Sequence, residues 1–300
     1  DESPMETLNP RGRRLLVALP TMFSGTGDLD LDATARVGEL VAQSRADGAF
    51  VAGTTGEFLA LEPDERQAVF DTQRVALGGK RLIAHIGAGS VRQAVALLET
   101  GLAAGITEFA ALTPYYLPGT PLGTYQHFKA VSEAAAGRAR IYIYLFWART
   151  TTVVSPGELA RIAALPGVVG TKISGFNLAQ VMEYRRATPP EFEVFTGNDA
   201  DFPQAAGNGI DGVVSGVASC FPNTFDRMIA ALESGDPASI AAAQAEVLEV
   251  VELIAGDIAR IKVALAAQGR GGSAVRMAIE QPSDEITAAI QAAVAKYQGV

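Results

Sequence analysis

A single lysine interrupts an apolar run near the middle of the chain. Residues 168–175 read VVGTKISG, a pattern typical of a buried strand, and Lys172 is the charged residue within it. A buried ammonium costs free energy, so such a lysine either pairs with a carboxylate or loses its proton. The neutral amine is a nucleophile that forms Schiff bases with carbonyl compounds. Lys172 is therefore a candidate nucleophile, and the alternative is a strand-end lysine whose ammonium reaches solvent.

The other lysines have surroundings that offer water. Lys80 lies in a Gly-Gly-Lys turn, whereas Lys129, Lys262 and Lys296 fall in segments with helical periodicity. A lysine on a helix can reach solvent along its flexible stem. We predict that these ammonium groups are solvated.

Composition excludes several classes of protein. The 300 residues are 48% hydrophobic and 19% charged, with a net charge of -9, which is typical of a globular chain and opposes nucleic-acid binding. No apolar run approaches the ~20 residues that a membrane helix needs. The first residues lack the apolar region of a secretory signal, and Cys220 has no second cysteine with which to form a disulfide. We predict a cytoplasmic protein that spans no membrane.

The supply of soft metal ligands is small. With only His85, His127 and Cys220, the chain cannot build a zinc site from three imidazoles. A carbon–carbon lyase of this composition would activate its ketone with an amine, although a magnesium site made of carboxylates stays formally open. We therefore expect no metal cofactor.

Short apolar runs alternate with longer amphipathic segments along the chain. Helical periodicity is found, for example, over residues 31–46, 62–77 and 90–104. Continuous apolar strands separated by helices predict a parallel sheet that is covered on both sides. The candidate strands are residues 14–20, 48–53, 81–86, 107–113, 140–146, 168–174, 192–197 and 212–216.

Repetition of this unit predicts a (β/α)8 TIM barrel, for which about 250 residues is typical. An open doubly wound sheet is the alternative, but the first unit has no phosphate-binding GxGxxG motif. We assign residues 1–12 to a flexible tail, 13–222 to the barrel and 223–300 to a helical extension. In that extension we predict one Ala-rich helix over residues 222–269, a Gly-rich loop over 269–272 and a last helix over 284–297. The extra helices are candidates for an oligomer surface, in a homodimer or homotetramer.

The ends of the candidate strands bring reactive side chains together. In a barrel, chemistry is located at the C-terminal ends of the strands and in the loops that follow. These ends carry GTTGEF at residues 53–58, TPYY at 113–116, Tyr144 with Arg149, and Lys172. An amine, phenols, threonine hydroxyls and a guanidinium on one face are the groups that a 2-oxo acid requires.

At these motifs the chain resembles the dihydrodipicolinate synthase and N-acetylneuraminate lyase family of class I, pyruvate-dependent aldolases. GTTGE, TPYY and the strand that carries Lys172 occur in the order and at the spacing of that family, and the resemblance extends from about residue 16 to about residue 268. It implies a Schiff base on Lys172 and a phenol, Tyr144, that moves protons at the reacting carbons. It also implies that Thr54 and Tyr116 complete a proton relay, that Thr55 contacts the substrate carboxylate, and that one tyrosine of TPYY crosses a tight dimer interface.

The chemistry of the residues agrees with these roles. Hydroxyls and the backbone N–H groups of the turn from Gly53 to Gly56 can fix a carboxylate, which places the keto carbon beside the amine. A phenol serves as a proton donor at neutral pH when hydrogen bonds hold it in a relay. The competing interpretations are an ordinary turn for the threonines, core packing for the tyrosines, and a helix-start carboxylate for Glu57.

The segment after Tyr144 departs from the family pattern. It reads LFWART, where the family commonly has an Asn-Val-Pro type sequence, and it keeps Arg149 and Thr150. Arg149 either holds the carboxylate of a second substrate, as the resemblance to the synthase branch implies, or pairs with an acid at the rim. It argues against a sialic acid substrate, whereas residues 85–87 look more like the sialic acid branch.

Apolar side chains are expected near the mouth of the barrel. Phe58, Leu117, Phe146 and Trp147 predict a second-substrate pocket suited to an aldehyde with an apolar or aromatic portion, or else a contact with a neighbouring subunit. Residues 196–199, which include Gly197, resemble family positions that line the pocket, as do Val214 and Ser215 at the end of the eighth strand. Asn198 and Asp199 would alternatively cap the following helix.

We therefore predict an aldolase that joins or separates pyruvate, or a related 2-oxo acid, and an aldehyde through a lysine imine. The alternatives are 4-hydroxy-tetrahydrodipicolinate synthesis from pyruvate and aspartate semialdehyde, and aldol cleavage or dehydration of a 2-keto-3-deoxy sugar acid. A catalytically silent protein that binds a 2-oxo acid is a further alternative, because a fold does not determine function.

Overall fold

The computed structural model describes residues 10–299. The predicted tail therefore lies outside the described residues, except at residues 10–12. There the guanidinium of Arg11 pairs with Asp211 at 2.5 Å, and the backbone N–H of Gly12 donates to the carbonyl of Asp211 at 2.7 Å. These contacts fix the start of the described chain to the loop before the last strand.

The sheet is a closed barrel in which every strand is parallel to its neighbours, and the first strand pairs with both the second and the eighth. This confirms the predicted (β/α)8 TIM barrel, and each predicted strand segment contains one strand. The strands are β1 (Arg14–Ala18), β2 (Gly48–Val51), β3 (Arg81–His85), β4 (Glu108–Leu112), β5 (Arg140–Leu145), β6 (Val168–Ile173), β7 (Glu193–Thr196) and β8 (Gly212–Ser215).

Helices cover the outside of the barrel and continue beyond it. Within residues 10–299, none is long and apolar enough to cross a membrane. The α-helices are α1 (Leu31–Ala42), α2 (Pro63–Ala76), α3 (Val91–Ala103), α4 (Pro121–Ala135), α5 (Trp147–Thr150), α6 (Pro156–Ala163), α7 (Leu178–Ala187), α8 (Phe202–Ala205), α9 (Pro222–Ser234), α10 (Pro237–Ile254), α11 (Ile258–Ala267) and α12 (Asp284–Gln298).

The Ala-rich region beyond the barrel is not the single helix that we predicted over residues 222–269. It divides into α9, α10 and α11 because the sequence interrupts the periodicity twice. Gly235 ends α9 with a φ of 67°, and Asp236 then caps α10 by accepting from the Ser239 N–H. Ala255, with a φ of 53°, ends α10, and Asp257 caps α11.

Alternation along β5 shows how the core is divided. Ile141, Ile143 and Leu145 belong to the large apolar cluster beneath the helices, whereas Tyr142 and Tyr144 belong to a smaller cluster that fills the barrel. This period of two is inherent in strand geometry, since successive side chains point to opposite faces.

The two ends of the barrel interior differ in chemistry. At the start of the strands, Tyr142 donates to Glu193 at 2.9 Å and Arg81 pairs with Glu108 at 3.1 Å. At the other end, the register places Tyr144 directly beside Lys172 on the neighbouring strand. The polar groups at the start of the strands bind one another. The C-terminal end is therefore the end at which we expect chemistry.

Candidate active site

Lys172 is buried in the barrel interior near the end of β6, with 7% of its surface exposed. Its Nζ lies 4.3 Å from the ring centre of Tyr144 and 4.5 Å from that of Phe50. Among residues 10–299, no carboxylate forms an ion pair with it. The lysine head therefore lies between aromatic rings, inside the cavity and not in bulk water.

Tyr144 is joined to the loop after β2 by its hydroxyl. The phenol oxygen lies 3.1 Å from Thr54 Oγ1, and either group can donate. The Tyr144 ring packs edge-on against Phe50 and His85, with centres 5.5 Å and 5.8 Å apart, so its position is fixed on both sides. This arrangement can pass a proton between the two hydroxyls.

The turn that carries Thr54 and Thr55 is compact. Thr54 and Thr55 both line the cavity. Gly53 and Gly56 are not among the described residues that line it. A Cβ at Gly56 would meet the Ala52 backbone at 2.9 Å, and one at Gly53 would meet the Phe50 ring at 2.8 Å. The glycines thus permit close packing behind the turn, and the threonines present the polar surface.

A cavity of about 620 Å³ opens at the C-terminal end of the strands. It brings together eight of the predicted site residues: Thr54, Thr55, Tyr144, Phe146, Arg149, Lys172, Gly197 and Val214. A space of this size exceeds what a three-carbon acid fills, so part of it is available to a second molecule.

Other predicted site residues lie outside the cavity of a single chain. Tyr116 is 89% exposed with a φ of 71°, and Tyr115, the preceding phenol, lines the cavity instead. Trp147 and Leu117 are also exposed, so neither contributes to the expected apolar mouth. These exposed side chains follow β4 and β5, on one side of the mouth.

Ser215 lies behind the cavity and not in its wall. It is fully buried at the end of β8, where its Oγ accepts from the backbone N–H of Ala218 at 3.0 Å. Its hydroxyl lowers the pKa of the neighbouring Asp199 carboxyl group, which does line the cavity. Ser215 thus affects the charge of a cavity residue without lining the cavity itself.

Asp199 is a cavity residue that the sequence pattern left open as a helix cap. The cap is Asn198, whose side chain accepts from the Ala200 N–H at 3.3 Å. Burial of Asp199 raises its pKa to about 6, against the opposing effects of the Ser215 hydrogen bond and the positive charge of Lys172. Its Oδ1 has no hydrogen-bond partner among the described residues.

The guanidinium of Arg149 is at the cavity wall and lies 5.6 Å over the Phe146 ring. No acidic side chain in the described part of the chain pairs with it. A guanidinium without a carboxylate partner, facing a cavity, is suited to binding an anionic group of a ligand.

Sequence reasoning missed a whole wall of the cavity. The connection between α10 and α11 contributes residues 255–257, α11 contributes Ile258 and Ile261, and residues 277–279 add a further strip. These residues fall in the predicted helical extension, for which the sequence suggested an oligomer surface. No local pattern marks them, because their approach to the barrel depends on contacts across about 200 positions of sequence, such as that between Glu57 and Lys262.

The prediction that Lys262 is solvated is wrong. This lysine is fully buried, and its Nζ donates to Glu57 Oε1 at 2.5 Å and to the Ala274 carbonyl at 2.9 Å. Lys80 is partly buried and donates to the carbonyls of Ser44 and Ala46, each at 2.7 Å. The chain therefore has two buried lysines at the cavity end, of which Lys262 is paired and Lys172 is not.

The histidines do not form a metal site. Desolvation lowers the pKa of His85 well below its ordinary value, so this ring is neutral, and its Nδ1 lies 3.0 Å from the Ala52 carbonyl. Burial also lowers the pKa of His127, which lies on α4. Over residues 10–299, no group of three or more His, Cys, Asp or Glu side chains is arranged to hold a metal ion.

Comparison with known proteins decides the family. The model of the dihydrodipicolinate synthetase family matches residues 11–297. The chain belongs to this family. Its members are class I, pyruvate-dependent aldolases that use a lysine Schiff base, so the predicted class of enzyme, a carbon–carbon lyase, is confirmed.

Relatives of this family match at nearly full length. The chain is 28% identical over 276 residues to 4-hydroxy-tetrahydrodipicolinate synthase of Acaryochloris marina, covering 91% of this chain and 94% of that one. It is 30% identical over 286 residues to the enzyme of the same name from Moorella thermoacetica, covering 93% and 97%. Among solved structures, the DHDPS of Cyanidioschyzon merolae with lysine bound has a TM-score of 0.87 at 26% identity, covering 96% of this chain and 98% of that one.

Proposed function

We propose that Lys172 forms a Schiff base with pyruvate or a closely related 2-oxo acid, and that the derived enamine is added to, or released from, an aldehyde. The observation that carries this proposal is the position of the unpaired, buried amine 4.3 Å from the ring of Tyr144, whose hydroxyl is hydrogen-bonded to Thr54. No other described lysine faces the cavity.

The first half of the reaction builds the imine. Thr55 and the backbone of its turn hold the carboxylate of the 2-oxo acid, and the Lys172 amine attacks the keto carbon. The C–O bond of the resulting carbinolamine breaks as Tyr144 donates a proton to the departing hydroxyl, which leaves as water. Thr54 stays within hydrogen-bond distance of the phenol and can return a proton to it.

The second half forms the carbon–carbon bond. Loss of a proton from the methyl carbon of the imine gives an enamine, whose carbon attacks the aldehyde carbon while the aldehyde oxygen gains a proton. Water then adds to the new imine and releases the product and the free amine. Cleavage is the same sequence in reverse, and no step needs a metal ion.

We further propose that Tyr116 serves the cavity of a second copy of the chain. Its exposure of 89% and its place beside the mouth support a position in a dimer interface, where a phenol from one protomer reaches the Tyr144–Thr54 pair of the other. The assembly would be a homodimer or a tetramer of such dimers.

A specific observation favours one second candidate, the synthesis of 4-hydroxy-tetrahydrodipicolinate. The unpaired guanidinium of Arg149 in the cavity wall could hold the carboxylate of aspartate semialdehyde, and relatives matching nearly the whole chain carry the name of that synthase. The apolar character of the remaining wall opposes it.

Borohydride trapping tests the proposal. We expect that pyruvate and borohydride inactivate the protein, and that the peptide containing Lys172 gains the mass of the reduced pyruvyl adduct. The Lys172→Met variant is the control and should gain no mass. Binding of pyruvate by the unmodified protein without any adduct would instead identify a 2-oxo acid binding protein. An aldehyde panel that includes aspartate semialdehyde, run beside the trapping experiment, separates the two aldol reactions.

A further inference from the structure

The carboxylate of Glu57 is buried at a point where three parts of the cavity wall meet. Glu57 directly follows the turn that carries Thr54 and Thr55, and its φ of 53° turns the chain at that point. Its side chain and that of Lys262 both have no exposed surface, and their Oε1 and Nζ atoms lie 2.5 Å apart. An acid that the sequence presented as a helix-start residue is thus part of a buried ion pair.

The other oxygen of the carboxylate binds the backbone of a distant segment. Glu57 Oε2 accepts from the N–H groups of Arg276 and Met277, each at 2.8 Å. Lys262 adds a bond to the Ala274 carbonyl at 2.9 Å, so the pair grips this segment at three backbone atoms. Both Glu57 oxygens are used, as a buried charge requires.

The gripped segment, residues 273–279, is neither helix nor strand and has few bonds of its own. Its outer side is held by Arg276, which pairs with Glu65 at 2.6 Å and donates to the carbonyls of Gly27 and Ala60 at 2.7 Å and 3.0 Å. Its position therefore depends on side chains from elsewhere in the chain.

This segment lines the cavity. Met277, Ala278 and Ile279 form an apolar strip, and Ile258 and Ile261 extend it from α11, the helix that also carries Lys262. With the 2-oxo acid held by Lys172 and the threonine turn, this strip remains for the second substrate. Its apolar character is that of a surface for hydrocarbon groups and not for hydroxyls.

We infer that Glu57, through its pair with Lys262, is a positioning residue that fixes the apolar strip of residues 277–279 against the turn of Thr54 and Thr55, and so selects aldehydes with an apolar portion. The inference rests on the proposed aldolase function and names its acceptor class. A buried charge pair is suited to this task because, unlike an apolar contact, it supplies directional bonds to backbone atoms of residues 274–277.

The first test uses Arg276→Gln, which loosens the segment from outside and leaves the buried pair intact. We expect the ratio of kcat/KM for benzaldehyde over glyceraldehyde to fall by about tenfold, the size of a small misfit in an apolar pocket. The rate of borohydride trapping with pyruvate alone should stay within about twofold of the wild type. Arg138→Gln, which breaks an exposed pair with Glu99 away from the cavity, is the matched control and should alter neither quantity.

The second test separates positioning from a purely structural role. Glu57→Gln leaves the Lys262 ammonium without its counter-charge and is expected to lower Tm strongly. Adding Lys262→Met removes that charge, so the double variant should recover most of the lost Tm. It still lacks the hydrogen bond to the Ala274 carbonyl, so its acceptor ratio should be reduced as in Arg276→Gln. Recovery of both Tm and the acceptor ratio in the double variant would overturn the inference.

Failure of the inference and failure of the proposed function give different results. If pyruvate is not trapped on the wild-type protein, the aldolase proposal fails. The clamp, by which we mean the Glu57–Lys262 pair and its bonds to residues 274–277, can still be tested, because trypsin cleavage after Arg270 should accelerate in Arg276→Gln. If trapping succeeds but Arg276→Gln keeps the wild-type acceptor ratio, the inference is wrong. A wild-type preference for glyceraldehyde would overturn the acceptor class.

Discussion

The hydroxyl oxygens of Thr54 and Tyr144 lie 3.1 Å apart, although Thr54 follows β2 and Tyr144 lies on β5, and these two strands are not neighbours in the barrel. The contact crosses the interior of the barrel, and the Nζ of Lys172 lies over the same tyrosine ring. Tyr144 therefore contacts both a hydroxyl from across the barrel and the lysine amine. An imine mechanism requires these groups to be close together.

Replacing Tyr144 by Phe should separate proton transfer from packing. The ring and its aromatic contacts remain, but the proton donor is lost, so we expect kcat to fall by about 10²–10⁴-fold, the usual contribution of a general acid–base group. Steady-state kinetics with pyruvate and an accepted aldehyde provide the measurement.

Tyr142 is the matched control for that change, because it lies two positions earlier on the same strand and donates to Glu193 at the opposite end of the barrel. Tyr142→Phe should lower Tm and leave kcat close to the wild-type value. Equal losses of kcat in the two variants would contradict a specific role for Tyr144.

The proposed exchange of Tyr116 between protomers predicts complementation. Tyr116→Phe and Lys172→Ala should each be nearly inactive alone. In a mixed dimer, the cavity that keeps Lys172 receives an intact Tyr116 from its partner, so random mixing should restore about a quarter of wild-type activity. Activity is measured after the two variants are unfolded and refolded together. No recovery, in a mixture shown to contain mixed dimers, would place Tyr116 outside the reaction.

Arg149 should act on the acceptor and not on pyruvate. If its unpaired guanidinium binds an acceptor carboxylate, Arg149→Ala should raise KM for aspartate semialdehyde by about tenfold or more and leave KM for an uncharged aldehyde nearly unchanged. Arg149→Lys keeps the charge but loses the planar guanidinium, so its KM for aspartate semialdehyde should lie between those of the wild type and Arg149→Ala. A uniform rise in KM for charged and uncharged acceptors would argue against this role.

Asp199 should make stability depend on pH in a defined window. The folded protein holds the Asp199 proton more tightly than the unfolded chain, since burial raises the pKa from 3.8 to about 6. Raising the pH from about 4 to about 6 therefore favours unfolding, and the penalty is constant above that range. We expect Asp199→Asn to be more stable than the wild type by about 2–3 kcal/mol above pH 7 and equally stable near pH 3.

Urea unfolding of both proteins across this pH range gives the measurement. Asp236→Asn provides a control of opposite sign, because hydrogen bonds from Ser239 lower the pKa of Asp236, so its ionised form favours the folded state. A stability difference for Asp199→Asn that does not change with pH would show that the pKa of the Asp199 carboxyl group is the same in the folded and unfolded states.

The barrel and the centre of the site follow from local patterns. Apolar runs of strand length located every strand, and the single charge in VVGTKISG identified the amine. Both signals are local, since the alternation of strands and helices and the cost of a buried charge can be read within a few residues. The threonine turn and Tyr144 were located in the same way, at the ends of strands.

What the sequence did not reveal depends on long-range packing. Lys262 has the helical surroundings of a solvated lysine, and only its distant partner Glu57 explains its burial. Tyr115 and Tyr116 belong to the same TPYY motif, but Tyr115 lines the cavity whereas Tyr116, whose backbone is left-handed, is exposed. Periodicity carries no information about either event.

The clamp at Glu57 also has a consequence for synthesis of the chain on the ribosome. Every strand has been translated by Ser215, but the inner face of the pocket stays open to water until Lys262 and Met277 have left the exit tunnel. A nascent polypeptide can thus close its ring of strands well before it is competent for turnover, because the residues that complete the pocket are translated after the barrel.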